Sequence, residues 1–225
     1  MKELYKRLKS KLCTFNHVCE VGVYLPETSN IVDFIKEGVR ASLVEADLDI
    51  IPKIKGYFKG YNVTIYPVAT WDYHGKLKLS RAASSTFVTD LKASPAIIND
   101  NFKKEQNSFF EVECCKFSDI DDGTIDLLSI DIEGSEWYVL KHMISRPKVL
   151  SIETHGKLYI NPFMKEIEGW IQANNYTIWY KDKSDSIYIK NNLFKIDLFE
   201  KINLLLREVM INFRRKKLEI KRLFK

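Results

Sequence analysis

Cysteine is sparse in this sequence, and its placement excludes two common uses. The four residues, Cys13, Cys19, Cys114 and Cys115, form no CxxC pair and no zinc-ligand spacing. Cys114 and Cys115 are adjacent in an apparent strand, where neighbours face opposite ways. All four are expected as reduced thiols in a reducing compartment. No run of roughly 18 or more apolar residues occurs, so no membrane-spanning helix is expected. The first sixteen residues are charged throughout, which does not fit a signal peptide. GxGxxG, P-loop, HExxH and GxSxG motifs are all missing, which argues against the nicotinamide, phosphate-loop, zinc-protease and serine-hydrolase chemistries they carry.

A general excess of one charge is also missing. The net charge of +5 comes from 35 basic and 30 acidic residues in 225. Residues 201–225 hold nine Lys/Arg against two Glu, and residues 1–16 hold five against one Glu, which leaves 17–200 at −6. The chain is an acidic globule with two basic ends, so the net charge alone does not point to nucleic acid. The length and the 45% apolar fraction suit one α/β domain with a sizeable core.

What is present is a repeated device: an apolar strand, an acid, a glycine turn, then helical spacing. His17-Val-Cys-Glu-Val-Gly22 is the first strand and turn, followed by Tyr24 and by Ile31, Phe34 and Ile35 at helical spacing. Residues 41–45 form a second strand ending in Glu45. Residues 62–66 form a third, with Val68, Ala69 and Thr70 just beyond it. Asp126 to Glu136, reading DLLSIDIEGSE, is a buried strand delivering Asp131, Glu133 and Glu136 to a turn, with Trp137, Leu140 and Ile144 in the next helix. Residues 149–156 repeat the pattern with Glu153, His155 and Gly156. In open α/β sheets the carboxyl ends of strands are where ligands sit. An acid on the second strand suits ribose hydroxyls, and a first strand-to-helix turn offers backbone N–H groups to an anionic group. Without the dinucleotide glycines, this layout points to a sulfonium nucleoside, S-adenosylmethionine.

Between these units, residues 72–79 read as a hairpin and residues 80–110, with Ser84, Pro95, Asn99, Asp100 and Asn101, as an irregular insertion of the kind that forms a substrate lid. Residues 176–189 read as a closing antiparallel hairpin. Residues 3–15 carry Leu4, Leu8, Leu12 and Phe15 as an amphipathic helix expected to pack over the sheet or against a partner. Residues 197–225 are helical and basic, with an apolar stripe and the cluster Arg214-Arg215-Lys216-Lys217. A helix of that kind suits an anionic membrane surface, a homo-oligomer or a solvated tail.

The Ile-Asp-Ile-Glu-Gly-Ser-Glu core at 130–136 resembles the signature of the FkbM-type methyltransferases. Glu20-Val-Gly22, Glu45, Val68-Ala69, Ser118-Asp119-Ile120 and Ile152-Glu153-Thr154-His155 match in order and spacing. The resemblance covers roughly residues 17–190. It differs in two places: the family has Asp at the position of Glu20 and a second glycine where Pro26 stands. It implies a class I fold, a seven-stranded, mostly parallel sheet with an antiparallel final hairpin and helices on both faces. It further implies methylation by S-adenosylmethionine of a hydroxyl on a sugar, glycan or related metabolite.

The expected organisation is therefore a basic helix over 1–16, a methyltransferase domain over 17–195 with a lid over 80–110, and a basic helical extension over 196–225. Glu20, Gly22, Tyr24, Glu45, Ala69, Thr70 and Asp131 are expected at the cofactor. Asp131, Glu133 or His155 is expected to take the acceptor's proton; a divalent cation held by the acids is the alternative. No nucleic-acid partner is expected, although Asn161-Pro162-Phe163 resembles the loop of base methylases. A non-catalytic scaffold using the basic tail is the rival reading. The expected location is cytoplasmic, with peripheral contact at the inner face of a membrane.

Overall fold

The computed structural model describes residues 1–82, 85–91, 93–99 and 109–223, with side chains through residue 217. Five parallel strands make the centre: β1 (His17–Val21), β2 (Arg40–Val44), β3 (Val63–Tyr66), β8 (Leu127–Ile130) and β9 (Val149–Glu153). The antiparallel pair β10 (Tyr176–Lys181) and β11 (Asp185–Lys190) closes one edge, giving the order β10-β11-β9-β8-β1-β2-β3. The fold is the class I methyltransferase sheet, with the chain crossing over between β3 and β8 so that β1 and β8 lie side by side at the centre.

Alternation along the strands builds a core on each face. Val18, Leu43, Leu127 and Val149 point to one side, under α1 (Glu3–Ser10), α2 (Val32–Lys36) and α3 (Ile51–Tyr57). Cys19, Val44, Leu128, Ile130, Leu150 and Ile152 point to the other, under α5 (Glu136–Lys141) and α6 (Met164–Ala173). On the first face the series continues past the apolar residues into polar ones: Glu20, Ser129, Ser151 and Asp185, buried near the carboxyl ends.

Three expectations change. α1 stops at Ser10; Leu4 and Leu8 are buried, while Leu12 lies beyond the helix with φ +57 and is exposed. Residues 72–79 are not a hairpin, and the stretch expected as irregular holds the end of one strand, a second strand and a short helix. β5 runs as one strand over Gly75–Ala82 and pairs antiparallel with β6 (Ser85–Val88). Together with β4 (Ala69–Thr70) and β7 (Phe109–Cys115) they form a second sheet, β4-β7-β5-β6, with its own small core of Leu77, Leu79, Val88 and Val112. α4 (Pro95–Asn99) follows. Ser84, Asp100 and Asn101 of the expected lid lie outside the described residues. The chain ends in α7 (Leu198–Leu223), which packs against β10.

Candidate active site

A cavity of about 290 Å³ opens at the carboxyl ends of β1, β2, β3 and β8. All seven residues expected at the cofactor line it: Glu20, Gly22 and Tyr24 after β1, Glu45 after β2, Ala69 and Thr70 after β3, and Asp131 after β8. Glu133 lines it as well. The second sheet supplies a wall that sequence reasoning missed, through Leu79 and the β6 residues Thr86, Phe87 and Val88.

The turn after β1 explains why glycine stands at position 22. Its φ is +87, and a Cβ there would fall 1.8 Å from the Asp131 carbonyl oxygen. The tips of β1 and β8 touch only because this side chain is absent. Asp131 N donates to Val21 O at 2.9 Å across this contact, and Gly22 N donates to Val44 O at 2.9 Å on the other side, toward β2.

The two acids at the near strands hold the loop between them. Glu45 Oε2 accepts from the amides of Val23 (3.1 Å) and Tyr24 (2.8 Å), and its Oε1 from Asp47 N (2.8 Å). A carboxylate has roughly four acceptor sites. Loop amides fill three of them, which leaves about one for a ligand hydroxyl. Glu20 accepts from Ser29 Oγ and from Asn30 N (2.7 Å). Burial raises both carboxyls, Glu20 to about 7. Pro26 begins a 3₁₀ turn, where its fixed φ fits and no N–H is needed.

The turn after β8 is built by Glu136. Glu133 (φ +57) and Gly134 (φ +111) are both left-handed. Glu136 is the first residue of α5, yet its carboxylate reaches back to the turn. Oε1 accepts from Ile132 N (3.0 Å) and Gly134 N (3.1 Å), and Oε2 from Asn161 Nδ2. Asn161 is buried and braces the neighbouring elements, also donating to Glu153 O and accepting from Phe163 N. Burial pushes the Glu136 carboxyl up to about 7.

Asp131 sits among carboxylates. Burial, then the charges of Asp185, Glu133, Glu136 and Glu20, hold its carboxyl well above the ordinary range. Glu153 is raised by burial and by the same neighbours, and its Oε2 is buried without a hydrogen-bond partner among the described residues. A site this crowded with acids favours a cation or a hydrogen-bond donor. Among the described residues no group of three His, Cys, Asp or Glu side chains is arranged to hold a metal ion.

His155 does not join Asp131 and Glu133. It lines a different cavity of about 270 Å³, between Lys181 on the domain and Glu208, Ile211 and Arg215 of α7. Its Nδ1 meets Thr154 Oγ1 at 3.0 Å, and burial together with Lys181 lowers its pKa to about 4. Residues of β9 alternate faces up to Glu153, and His155 falls beyond the strand's end, so its place in the motif order does not carry it to the cavity.

The family model of the methyltransferase FkbM domain matches residues 9–178. The chain belongs to the FkbM methyltransferase family. Its cofactor is accordingly S-adenosylmethionine, and this structure fits it: Thr70 Oγ1 is buried on the cavity wall with no partner among the described residues, on the same cavity as Glu45 and Asp131, acids that suit ribose hydroxyls and a cationic group. No curated protein matches the sequence. Among solved structures, the ribosomal protein L11 methylase of Lactobacillus delbrueckii subsp. bulgaricus is 10% identical, with a TM-score of 0.46, covering 84% of this chain and 77% of its own. Magnesium protoporphyrin IX methyltransferase from Synechocystis PCC 6803 is 8% identical, with a TM-score of 0.43, covering 84% and 76%. Precorrin-6y C5,15-methyltransferase from Geobacter metallireducens GS-15 is 13% identical, with a TM-score of 0.38, covering 82% and 85%.

Proposed function

We propose that this methyltransferase acts on oxygen, methylating a hydroxyl of a sugar, glycan or related small metabolite, with Asp131 as the proton acceptor and Glu133 as the group that orients the hydroxyl. The observation that carries the reading is the shared cavity wall. Asp131 and Glu133 stand on the same cavity as the loop after β1 and the Glu45 tip, while His155 does not. When bound, the cofactor supplies an electrophilic methyl group next to a positive charge. The chain supplies the rest. Gly22 and Tyr24 would line the loop side of the bound cofactor, Glu45 would take a ribose hydroxyl, Ala69 and Thr70 would flank the base, and Glu20 and Asp131 would face the cationic end.

The acceptor hydroxyl would donate to a carboxylate oxygen, and Asp131 would take its proton as the oxygen receives the methyl group, the electron pair of the methyl–sulfur bond leaving with sulfur. Alignment is the larger part of this task. A carboxyl whose proton affinity is raised by its neighbours is a better base than an ordinary aspartate once it is ionised, and positive charge nearby favours that ionised form. Carboxylates also suit hydroxyl-rich acceptors, because they are pure hydrogen-bond acceptors.

The test is methyl transfer to a panel of free and nucleotide-linked sugars and phenols, read by mass. Asp131→Asn is expected to lower turnover at saturating cofactor by about 10²-fold or more. Transfer to nitrogen or carbon acceptors alone, or undiminished turnover in Asp131→Asn, overturns the reading.

A further inference from the structure

α7 is docked the opposite way round from an ordinary surface helix. Its half-buried positions are Glu200, Leu204, Arg207, Glu208, Ile211 and Arg215, one face at helical spacing, and four of the six are charged. That face is tied to the domain by polar contacts. Trp179 Nε1 donates to Glu200 Oε1 (2.8 Å), Arg207 Nε donates to Asp182 O (3.0 Å), and Lys181 pairs with Glu208 at 3.2 Å. The opposite face is apolar and points away from the domain: Phe199, Ile202, Leu205, Leu206, Val209 and Phe213 are between 46% and 73% exposed. A stripe this long on one helix is not scattered surface apolarity and needs a cover.

The charges around the stripe say what the cover is. Lys201, Arg214, Lys216 and Lys217 are exposed, and the two carboxylates within residues 198–217, Glu200 and Glu208, both belong to the docked face. A second copy of this face would set cations against cations with no acid to meet them. An anionic sheet of head groups meets both features at once. Leu12, fully outside α1, follows Lys11, whose ammonium pairs with Glu200 at the start of α7, so a further exposed apolar side chain lies close to the same end. Among the described residues no helix is long and apolar enough to cross a membrane.

We propose that α7 seats this protein on an anionic lipid surface, its apolar stripe sunk to the level of the acyl boundary and its basic end against the head groups. The proposal is independent of what the enzyme methylates.

Full-length chain is spun with vesicles of phosphatidylcholine alone or mixed with phosphatidylglycerol, and run without lipid in sedimentation velocity. Binding is expected on the mixed vesicles, weak on the neutral ones, and reduced by salt. Lys216→Gln with Lys217→Gln is expected to weaken it roughly twenty- to thirtyfold, at roughly fivefold for each cation near the surface. Phe199→Ser with Leu206→Ser and Phe213→Ser is expected to abolish it while cofactor binding and the melting temperature are kept. If the triple variant does not fold, the lysine pair alone decides. The proposal is overturned if the folded chain never sediments with mixed vesicles, if neither variant set weakens it, or if the lipid-free chain is a stable dimer that the triple variant breaks.

Discussion

Gly22→Ala is the most direct test of how the cofactor cavity is made. Two costs apply, and the structure separates them. The first is conformational: φ is +87, where a side chain costs about 1–2 kcal/mol. The second is steric. The new Cβ would meet Asp131 O at 1.8 Å and Ile132 Cγ2 at 3.0 Å. The oxygen is backbone, pinned in the contact between the tips of β1 and β8 by Asp131 N donating to Val21 O, so the strand tips themselves must part. Overpacking of that kind costs about 1–3 kcal/mol. Together the substitution is expected to destabilise the fold by about 2–5 kcal/mol and, in whatever remains folded, to weaken S-adenosylmethionine by about 10²-fold, because the loop amides and Asp131 are displaced together. Gly38→Ala is the control. Its φ is +88, but nothing lies within 4 Å of its Cβ position, so only the first cost is due. Urea unfolding gives the stabilities and titration calorimetry the affinity. Equal losses in the two variants, or Gly22→Ala binding cofactor within about threefold of wild type, would refute the steric argument.

The raised carboxyls predict an unusual dependence of stability on pH. Glu20 and Glu136 are lifted to about 7 and Asp185 to about 6, all chiefly by burial. A carboxyl raised in the folded state binds its proton more tightly folded than unfolded, so its contribution is fully present below the unfolded value near 4.5 and is lost as pH rises toward 7. The cofactor-free protein is therefore expected to melt higher at pH 5 than at pH 7.5, with Glu20→Gln, which keeps the neutral form at all pH, flattening the difference; a higher melting point at pH 7.5 would contradict the assignment. Glu136→Gln is expected to cost about 1–3 kcal/mol, because an amide N–H₂ must now face Asn161 Nδ2 or the loop amides. Adding Asn161→Asp restores an acceptor there, and failure to recover any stability in the double variant would show that the pair does not interact. His155→Ala is expected to leave turnover within about threefold, since its ring lines the α7 cavity and titrates near 4; a loss matching that of Asp131→Asn would return His155 to the chemistry.

The strand–acid–glycine units were legible because each is local. Period-two apolar runs end where an acid and a glycine break them, and consecutive units in a parallel sheet bring those breaks to one edge. That is why Glu20, Gly22, Glu45, Thr70 and Asp131 share a cavity although they span more than a hundred residues. The second sheet was not legible for the converse reason. β4 has two residues, too few to show any period, and its partner β7 begins about forty residues later. Glu136 looked like a helix-start acid, and it does start α5; only the left-handed backbone at Glu133 and Gly134 shows that its carboxylate serves the turn before it.

The same limit bears on α7. Periodicity gives the arc that apolar residues cover, but not which way that arc faces. The stripe of eight large apolar side chains leaves a membrane surface, a partner copy and a solvated tail all open; the domain takes the polar side of the helix, through Glu200, Arg207 and Glu208. The deciding partners are on β10 and its turn, Trp179, Lys181 and Asp182, and each offers a polar group rather than an apolar surface. With those three contacts made, turning the helix about its axis to bury the stripe would carry two carboxylates and a guanidinium out to solvent and leave Trp179 Nε1, the Lys181 ammonium and the Asp182 carbonyl facing apolar side chains. The loss of three polar contacts at about 1 kcal/mol or more each opposes that turn and holds the apolar face outward.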